Sequence, residues 1–340
     1  MTRLVKEPDC TALAADLGGR FEIEALVAVG GMGLIFEARR VLDGRHVAIK
    51  VLKSRLARDQ RCRSLMAREA SALAVAEHPR VVQLLERGET RSGLPYLVLE
   101  WLEGRTLHSL IAEEAPLEPG RCERIFVALL DTLADIHARG VVHADLKPEN
   151  IMLVRGPGGR EEIRLLDFGV SSVGKEHFAF PGEVCGTPGY LAPEILCGSP
   201  PTAASDLYAA GIVLFELLTG RLPFRGTSPA ALLLEQMYEP APRPSRYWGT
   251  AAGPWDALLQ RALAPEPGDR FVDAASLRVA FALAFASAPP RPACAPPPRR
   301  PFHVPAVSGD APTARWNPMM GLRRAPRRRT EAWRSRGIAA

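Results

Sequence analysis

Lysine is scarce in this sequence. Only five of its 43 lysine and arginine residues are lysine, so a lysine stands out where arginine is the habit, and its compact ammonium meets a phosphate differently from a planar guanidinium. Long apolar runs are lacking too. No stretch reaches the roughly 18 residues that a bilayer-spanning helix needs, so no transmembrane segment is expected. The longest candidate, Val279 to Ala288, reads as a buried closing helix. Cysteines are few: Cys10, Cys62, Cys122, Cys185, Cys197 and Cys294 form no CxxC pair and no cluster. That argues against a zinc site or a disulfide scaffold and fits a reducing compartment, so a cytoplasmic location is expected. Lys6, Glu7, Pro8 and Asp9 follow the N-terminus without an apolar stretch, and no secretory leader is expected.

What is present is enough for a sizeable core. The 340 residues are 47% hydrophobic, which suits one large domain or two modest ones. Charge is unevenly spread. The last 53 residues hold 11 Arg and 11 Pro against two acids, a balance of +9, so the preceding part carries −4 of the overall +5. Residues 288–340 bury too little apolar surface to offset chain entropy and are expected to be a disordered Pro/Arg-rich tail.

Along the chain, residues 1–18 form a lead, an N-terminal extension. From Phe21 to Val51 the pattern is strand-like, with a glycine cluster after Val29 and a hairpin signal at Asp43-Gly44. A helix is expected over about Arg58 to Glu77, stopped by His78-Pro79. Two more strands bracket Arg91-Ser92-Gly93. After Glu103-Gly104 the apolar spacing turns helical, as in Ile125, Phe126, Leu129, Leu130, Leu133 and Ile136. The expected fold class is α+β and bilobal, with a small β-rich lobe over 19–100, a hinge over 100–104, and a larger α-helical lobe over 105–287. A cleft between two such lobes favours a ligand.

Several residues carry chemistry. Val29-Gly30-Gly31-Met32-Gly33 lies between strands, where glycine lets the backbone approach phosphates and present N–H groups; a plain turn is an equal alternative. Lys50 ends an apolar strand, where a lone lysine is usually a solvated strand end. Glu69 shares a helix face with Leu65 and Leu73, so it needs a cation, and Lys50 is the candidate. The alternative is a half-solvated rim carboxylate. Most specific is His143-Ala144-Asp145-Leu146-Lys147-Pro148-Glu149-Asn150, followed by Leu166-Asp167-Phe168-Gly169. Asp145, Asn150 and Asp167 bring oxygen ligands of the kind Mg²⁺ takes, and Lys147 adds a positive charge. A chance surface loop would rarely combine them.

These segments, in this order and at these spacings, resemble the signature set of the protein kinase family over about Phe21 to Ala286. The wording Asp145-Leu146-Lys147-Pro148-Glu149-Asn150 and Gly186-Thr187-Pro188 resembles the serine/threonine class, and Gly30-Gly31-Met32-Gly33 looks bacterial. The resemblance implies the bilobal protein kinase fold and transfer of the γ-phosphoryl group of ATP, with Mg²⁺ (or Mn²⁺), to hydroxyls of protein substrates. It implies Asp145 as catalytic base, with Lys147, Lys50 and Glu69 as its supporting catalytic residues. Nucleotide contacts are implied at Val29, Gly30, Gly31, Gly33, Ile35, Ala48, Lys50, Leu99, Glu100, Leu102, Leu153 and Asp167, and metal ligation at Asn150 and Asp167. It further implies a Glu194–Arg270 pair and an Asp206 anchor for the catalytic loop.

Two departures stand out. Ala28 replaces the first loop glycine, and Ala144 replaces the arginine that in the family pairs with a phosphate on the activation segment. No Ser, Thr or Tyr lies between Val173 and Gly186, while Glu183 is permanently charged. Catalysis without activation-loop phosphorylation is therefore expected. Two rival readings are a pseudokinase scaffold or nucleotide sensor, and an Arg-rich tail around Arg323–Arg329 that binds nucleic acid or an anionic surface. The plain reading of the tail is a solvated segment.

Overall fold

The computed structural model describes residues 8–168, 172–173, 187–248 and 253–287. Gly169, Glu183, Gly186 and the tail over 288–340 lie outside the described residues.

The first element among the described residues is a helix, α1 (Cys10–Asp16), capped by the Asp9 carboxylate, which accepts the Ala12 N–H at 2.9 Å. Within the lead expected over 1–18, Leu13 and Leu17 are buried in the core of the small lobe. Two leucines four apart suffice to pin one helical face. The sheet that receives them comprises β1 (Phe21–Val29), β2 (Gly33–Arg40), β3 (His46–Leu52), β4 (Leu84–Glu89) and β5 (Pro95–Glu100), in the order β1-β2-β3-β5-β4. All its pairs are antiparallel. Alternation sorts the side chains: Phe36, Ala38, Val47, Ile49 and Val51 pack with α1, while Ile35, Ala48 and Lys50 face the other way. Between β3 and β4 runs α2 (Gln60–Val75), started by Asp59, which accepts from the N–H groups of Arg61 and Cys62. It is two residues shorter at each end than the sequence suggested.

The larger lobe follows β6 (Gly104–Thr106), with α3 (Leu107–Glu114), α4 (Pro119–Ala138), β7 (Val141–Val142), β8 (Ile151–Arg155), β9 (Glu161–Leu165) and β10 (Ser172–Val173). Then come α5 (Pro193–Leu196), α6 (Ala203–Thr219), α7 (Pro229–Tyr238), α8 (Ser245–Trp248), α9 (Pro254–Ala262) and α10 (Ala274–Ser287). Helix α6 is buried on every side from Ser205 to Thr219. Its apolar sequence has no polar face to offer water, so the other helices wrap it. The closing helix α10 differs from expectation. Leu277, Phe281 and Ala284 are buried, but Val279 and Leu283 are 59% and 66% exposed, because among the described residues the core meets this helix on one face. No helix among the described residues is long and apolar enough to cross a membrane.

Candidate active site

Lys50 sits in mid-sheet register between Ile35 on β2 and Leu97 on β5, with its side chain directed away from α1. Its ammonium donates to both oxygens of Glu69 at 2.6 and 2.7 Å and to Asp167 Oδ1 at 3.1 Å. Lys50 and Glu69 are both buried. Burial opposes charging of the amine, but the Asp167 and Glu69 carboxylates outweigh it and hold Lys50 well above its ordinary value. Burial likewise pushes the Glu69 carboxyl up, against the pull of the Lys50 ammonium. Glu69 reaches this position because α2 buries Cys62, Met66, Ala70 and Leu73 on the same side; Leu65 is only half-buried.

The segment from His143 to Asn150 is held from below by α6. Asp206, itself buried, accepts the His143 N–H at 2.8 Å and the Ala144 N–H at 2.9 Å, and contacts His137 Nε2 at 2.8 Å. Burial works to raise the Asp206 carboxyl, yet the His137 contact and the backbone donors bring it below its ordinary value. Ala144 is thereby fixed at φ 65°, a left-handed conformation that few L-residues adopt. Asp145 Oδ2 accepts from Lys147 Nζ at 2.5 Å and Asn150 Nδ2 at 3.1 Å, and its Oδ1 accepts the Thr187 N–H at 3.3 Å. Lys147 Nζ also donates to Thr187 Oγ1 at 2.7 Å. Asp167 has φ 53°, while Phe168 is fully buried with its ring 4.6 Å from that of His143. That turn aims the Asp167 carboxylate at Lys50 rather than into the core.

Between the lobes lies a cleft that opens to solvent. Of the residues expected there, Ile35, Ala48, Lys50, Leu99, Glu100, Leu102 and Asp167 line it. Val29, Gly30, Gly31 and Gly33 do not; Val29 is 56% exposed at the end of β1, and Val27 and Ala28 line the cleft in its place. Leu153 is a correction. It is buried in the large-lobe core, and Met152, one residue earlier on β8, faces the cleft. Neighbours on a strand point to opposite faces, so an error of one residue reverses the side. The alternation of β8 could have given Met152; on β1 a register shift between Leu26 and Ala28 breaks the alternation, and Val27 and Ala28 both line the cleft.

Two acids, the buried Glu216 and the partly buried Glu194, tie the lobe together behind the catalytic loop. Arg270 meets both oxygens of Glu194, at 2.7 and 2.6 Å. Glu216 on α6 is buried, accepts the Tyr190 O–H at 2.7 Å, and is pushed by burial from 4.5 up to about 8. The folded state therefore holds this proton more tightly than the unfolded chain. Its contribution to stability is complete below about pH 4.5 and is lost progressively as pH rises to about 8. Glu216→Gln, which keeps an acceptor for Tyr190 without an ionisable proton, is expected to flatten that fall. Thermal midpoints of both proteins across pH 5 to 9 check it: parallel curves would clear Glu216 of any part.

The chain matches the family model described as the protein kinase domain over residues 21–277. It is 36% identical over 258 residues to serine/threonine-protein kinase pkn3 of Myxococcus xanthus, covering 74% of this chain and 47% of that protein. It is 37% identical over 271 residues to a probable serine/threonine-protein kinase, CE0033, of Corynebacterium efficiens, covering 77% of this chain and 40% of the relative. With serine/threonine-protein kinase PknB of Mycobacterium tuberculosis the identity is 34% over 281 residues, covering 81% and 44%. The chain thus aligns to less than half the length of each of these relatives.

Proposed function

Because this chain belongs to the protein kinase domain family, we propose that it transfers the γ-phosphoryl group of ATP to serine or threonine hydroxyls of protein substrates. The observation that carries the proposal is the convergence of Lys50, Glu69 and Asp167 on one side of the cleft, with Asp145, Lys147 and Asn150 joined in a single hydrogen-bonded loop. Lys50, positioned by Glu69, supplies a fixed cation for nucleotide phosphates. Asp145 accepts the proton of the attacking hydroxyl, and Lys147 offsets negative charge next to it. Apolar Val27, Ala48, Leu99 and Met152 line the cleft and suit the flat face of a base. The residues also fit a magnesium ion: Asn150 Oδ1 is buried without a hydrogen-bond partner among the described residues, and the Leu166 N–H bonds to the Asn150 carbonyl at 2.8 Å, which brings the next residue, Asp167, alongside as a second oxygen donor. When bound, the ion would neutralise phosphate charge. A transfer assay with labelled ATP, Mg²⁺ and a generic basic protein tests the proposal; no turnover above an Asp145→Asn background would favour a nucleotide-binding scaffold.

The reaction does not depend on a phosphorylated activation segment in this reading. Ala144 contributes only its backbone N–H, to Asp206, and offers no cation to a phosphate, while the sequence between Val173 and Gly186 offers no hydroxyl. Enzyme dephosphorylated to completion is expected to keep its rate within about tenfold, roughly 1.4 kcal/mol. A larger fall, reversed on rephosphorylation, would overturn this.

A further inference from the structure

The helix that carries Glu69 is lightly held at its N-terminal end. There its buried face contributes Cys62, Met66 and Ala70 to a small cluster with Leu52 and Leu97; only toward its C-terminal end do Ala72 and Leu73 join the large core. One polar side chain adds to that hold. Arg63 Nη1 donates to the Gly93 carbonyl at 2.9 Å and the Ala57 carbonyl at 3.3 Å, and Nη2 donates to Glu89 Oε1 at 2.5 Å. Gly93 lies in the connection between β4 and β5, and Glu89 is the last residue of β4. That connection is stiffened internally: Gly93 has φ +82°, its N–H bonds to the Thr90 carbonyl at 2.9 Å, and Thr90 Oγ1 accepts the Leu94 N–H at 3.1 Å.

The other side of the same turn is gripped by the last residue of α1. The Asp16 carboxylate accepts the Ser92 N–H at 2.7 Å and the Ser92 hydroxyl at 2.5 Å, and the Asp16 carbonyl accepts the Arg91 N–H at 3.0 Å. Helix α1 is in turn anchored by Leu13 and Leu17, which are 0% and 3% exposed. A continuous path therefore runs from a helix anchored by two buried leucines, through a rigid turn, to a guanidinium on α2. Arg63 and Glu69 are six residues apart on that helix, under two turns, so a pivot of this end moves both.

We propose that α1 positions the Lys50–Glu69 pair through the β4–β5 turn, with Asp16 and Arg63 as the positioning residues. Anything that loosened α1 from the sheet would then withdraw Glu69 without touching the cleft. The catalytic consequence rests on the kinase reading; the hold on α2 does not, and the test separates the two. Cys62, 2% exposed on the buried face of α2, reports the position of the helix directly. In the full chain, modification of Cys62 by N-ethylmaleimide, followed on its own peptide by mass spectrometry, is expected to quicken by about fivefold or more in Asp16→Ala and in Arg63→Ala, as a local opening becomes cheaper. kcat/KM should fall by a similar factor. Arg63→Lys, which keeps a cation for Glu89 but loses the fork, should fall between, and carries the test should Arg63→Ala fail to fold. Arg39→Ala removes an ion pair with Glu24 in the same lobe and should leave Cys62 protected. Protection unchanged in both the Asp16 and Arg63 variants, or lost equally in Arg39→Ala, overturns the proposal. Faster labelling with kcat/KM unchanged would support the hold on α2 and remove Glu69 from the catalytic reading instead.

Discussion

Asp145→Asn and Asp167→Ala are each expected to lower kcat by about a thousandfold, on the order of 4 kcal/mol in transition-state free energy. The two losses have different origins. Asp145→Asn keeps the size of the side chain and an oxygen for the Thr187 N–H, which Oδ1 accepts at 3.3 Å. It removes the proton acceptor and turns an amide group toward Lys147 and Asn150, both of which donate to Oδ2. Folding should survive and chemistry should not. Asp167→Ala takes away one of two carboxylates that hold Lys50 charged and placed, together with an oxygen donor for the metal ion. Its nucleotide affinity should drop as well as its rate. Initial velocities at saturating ATP, beside thermal midpoints for each variant, make the check: a folded Asp145→Asn enzyme within tenfold of the parent would show that this carboxylate is not the base. Equal activity in all three proteins would point to a contaminating kinase and leave the scaffold reading in possession.

Much of the site was legible in the sequence because its parts are local. The segment from His143 to Asn150 brings acid, amide and ammonium together within eight residues, and no packing calculation is needed to see that they can meet. Lys50 and Glu69 lie 19 residues apart, yet one apolar strand and one apolar helix face were enough to pair them. What escaped was set by side-chain direction and by long-range contact. Leu153 and Met152 are equally apolar neighbours, and only the register of β8 against Thr106 and Arg164 decides which one meets the cleft. Val27 was hidden by the break in the alternation of β1 between Leu26 and Ala28. Helix α1 escaped because seven residues of modest periodicity carry little signal alone; its stability comes from a sheet that forms around residues up to Val98. The clasp of Asp16 and Arg63 on one turn escaped for the same reason. It joins residues 76 and 30 positions apart, and polar residues in such places look like ordinary surface.

Arg270→Ala is expected to be the most destabilising single substitution in the large lobe, costing about 3–5 kcal/mol. The side chain is 0% exposed, and all five of its N–H donors are used. Two go to Glu194, at 2.7 and 2.6 Å, and the others to the carbonyls of Ala264, Ala204 and Pro265 at 2.8, 3.1 and 2.8 Å. The guanidinium also lies 4.8 Å from the Tyr208 ring centroid. Truncation strands a carboxylate that is 15% exposed and three carbonyl groups, and the desolvation of those groups is what the protein then bears. For a domain of this size a loss of that order lowers the thermal midpoint by roughly 10 °C. Arg270→Lys should recover little, since three donors on a flexible stem cannot reproduce five in a fixed plane. Removing both charges, as Glu194→Leu with Arg270→Met, should cost less than Arg270→Ala alone, because no buried charge is then left without a partner. Urea unfolding of the three variants measures the difference. A double variant less stable than Arg270→Ala would mean that the pair contributes attraction beyond its own desolvation, and that the start of α5, which carries Glu194 just beyond the Thr187 contact with Asp145 and Lys147, is held chiefly by charge.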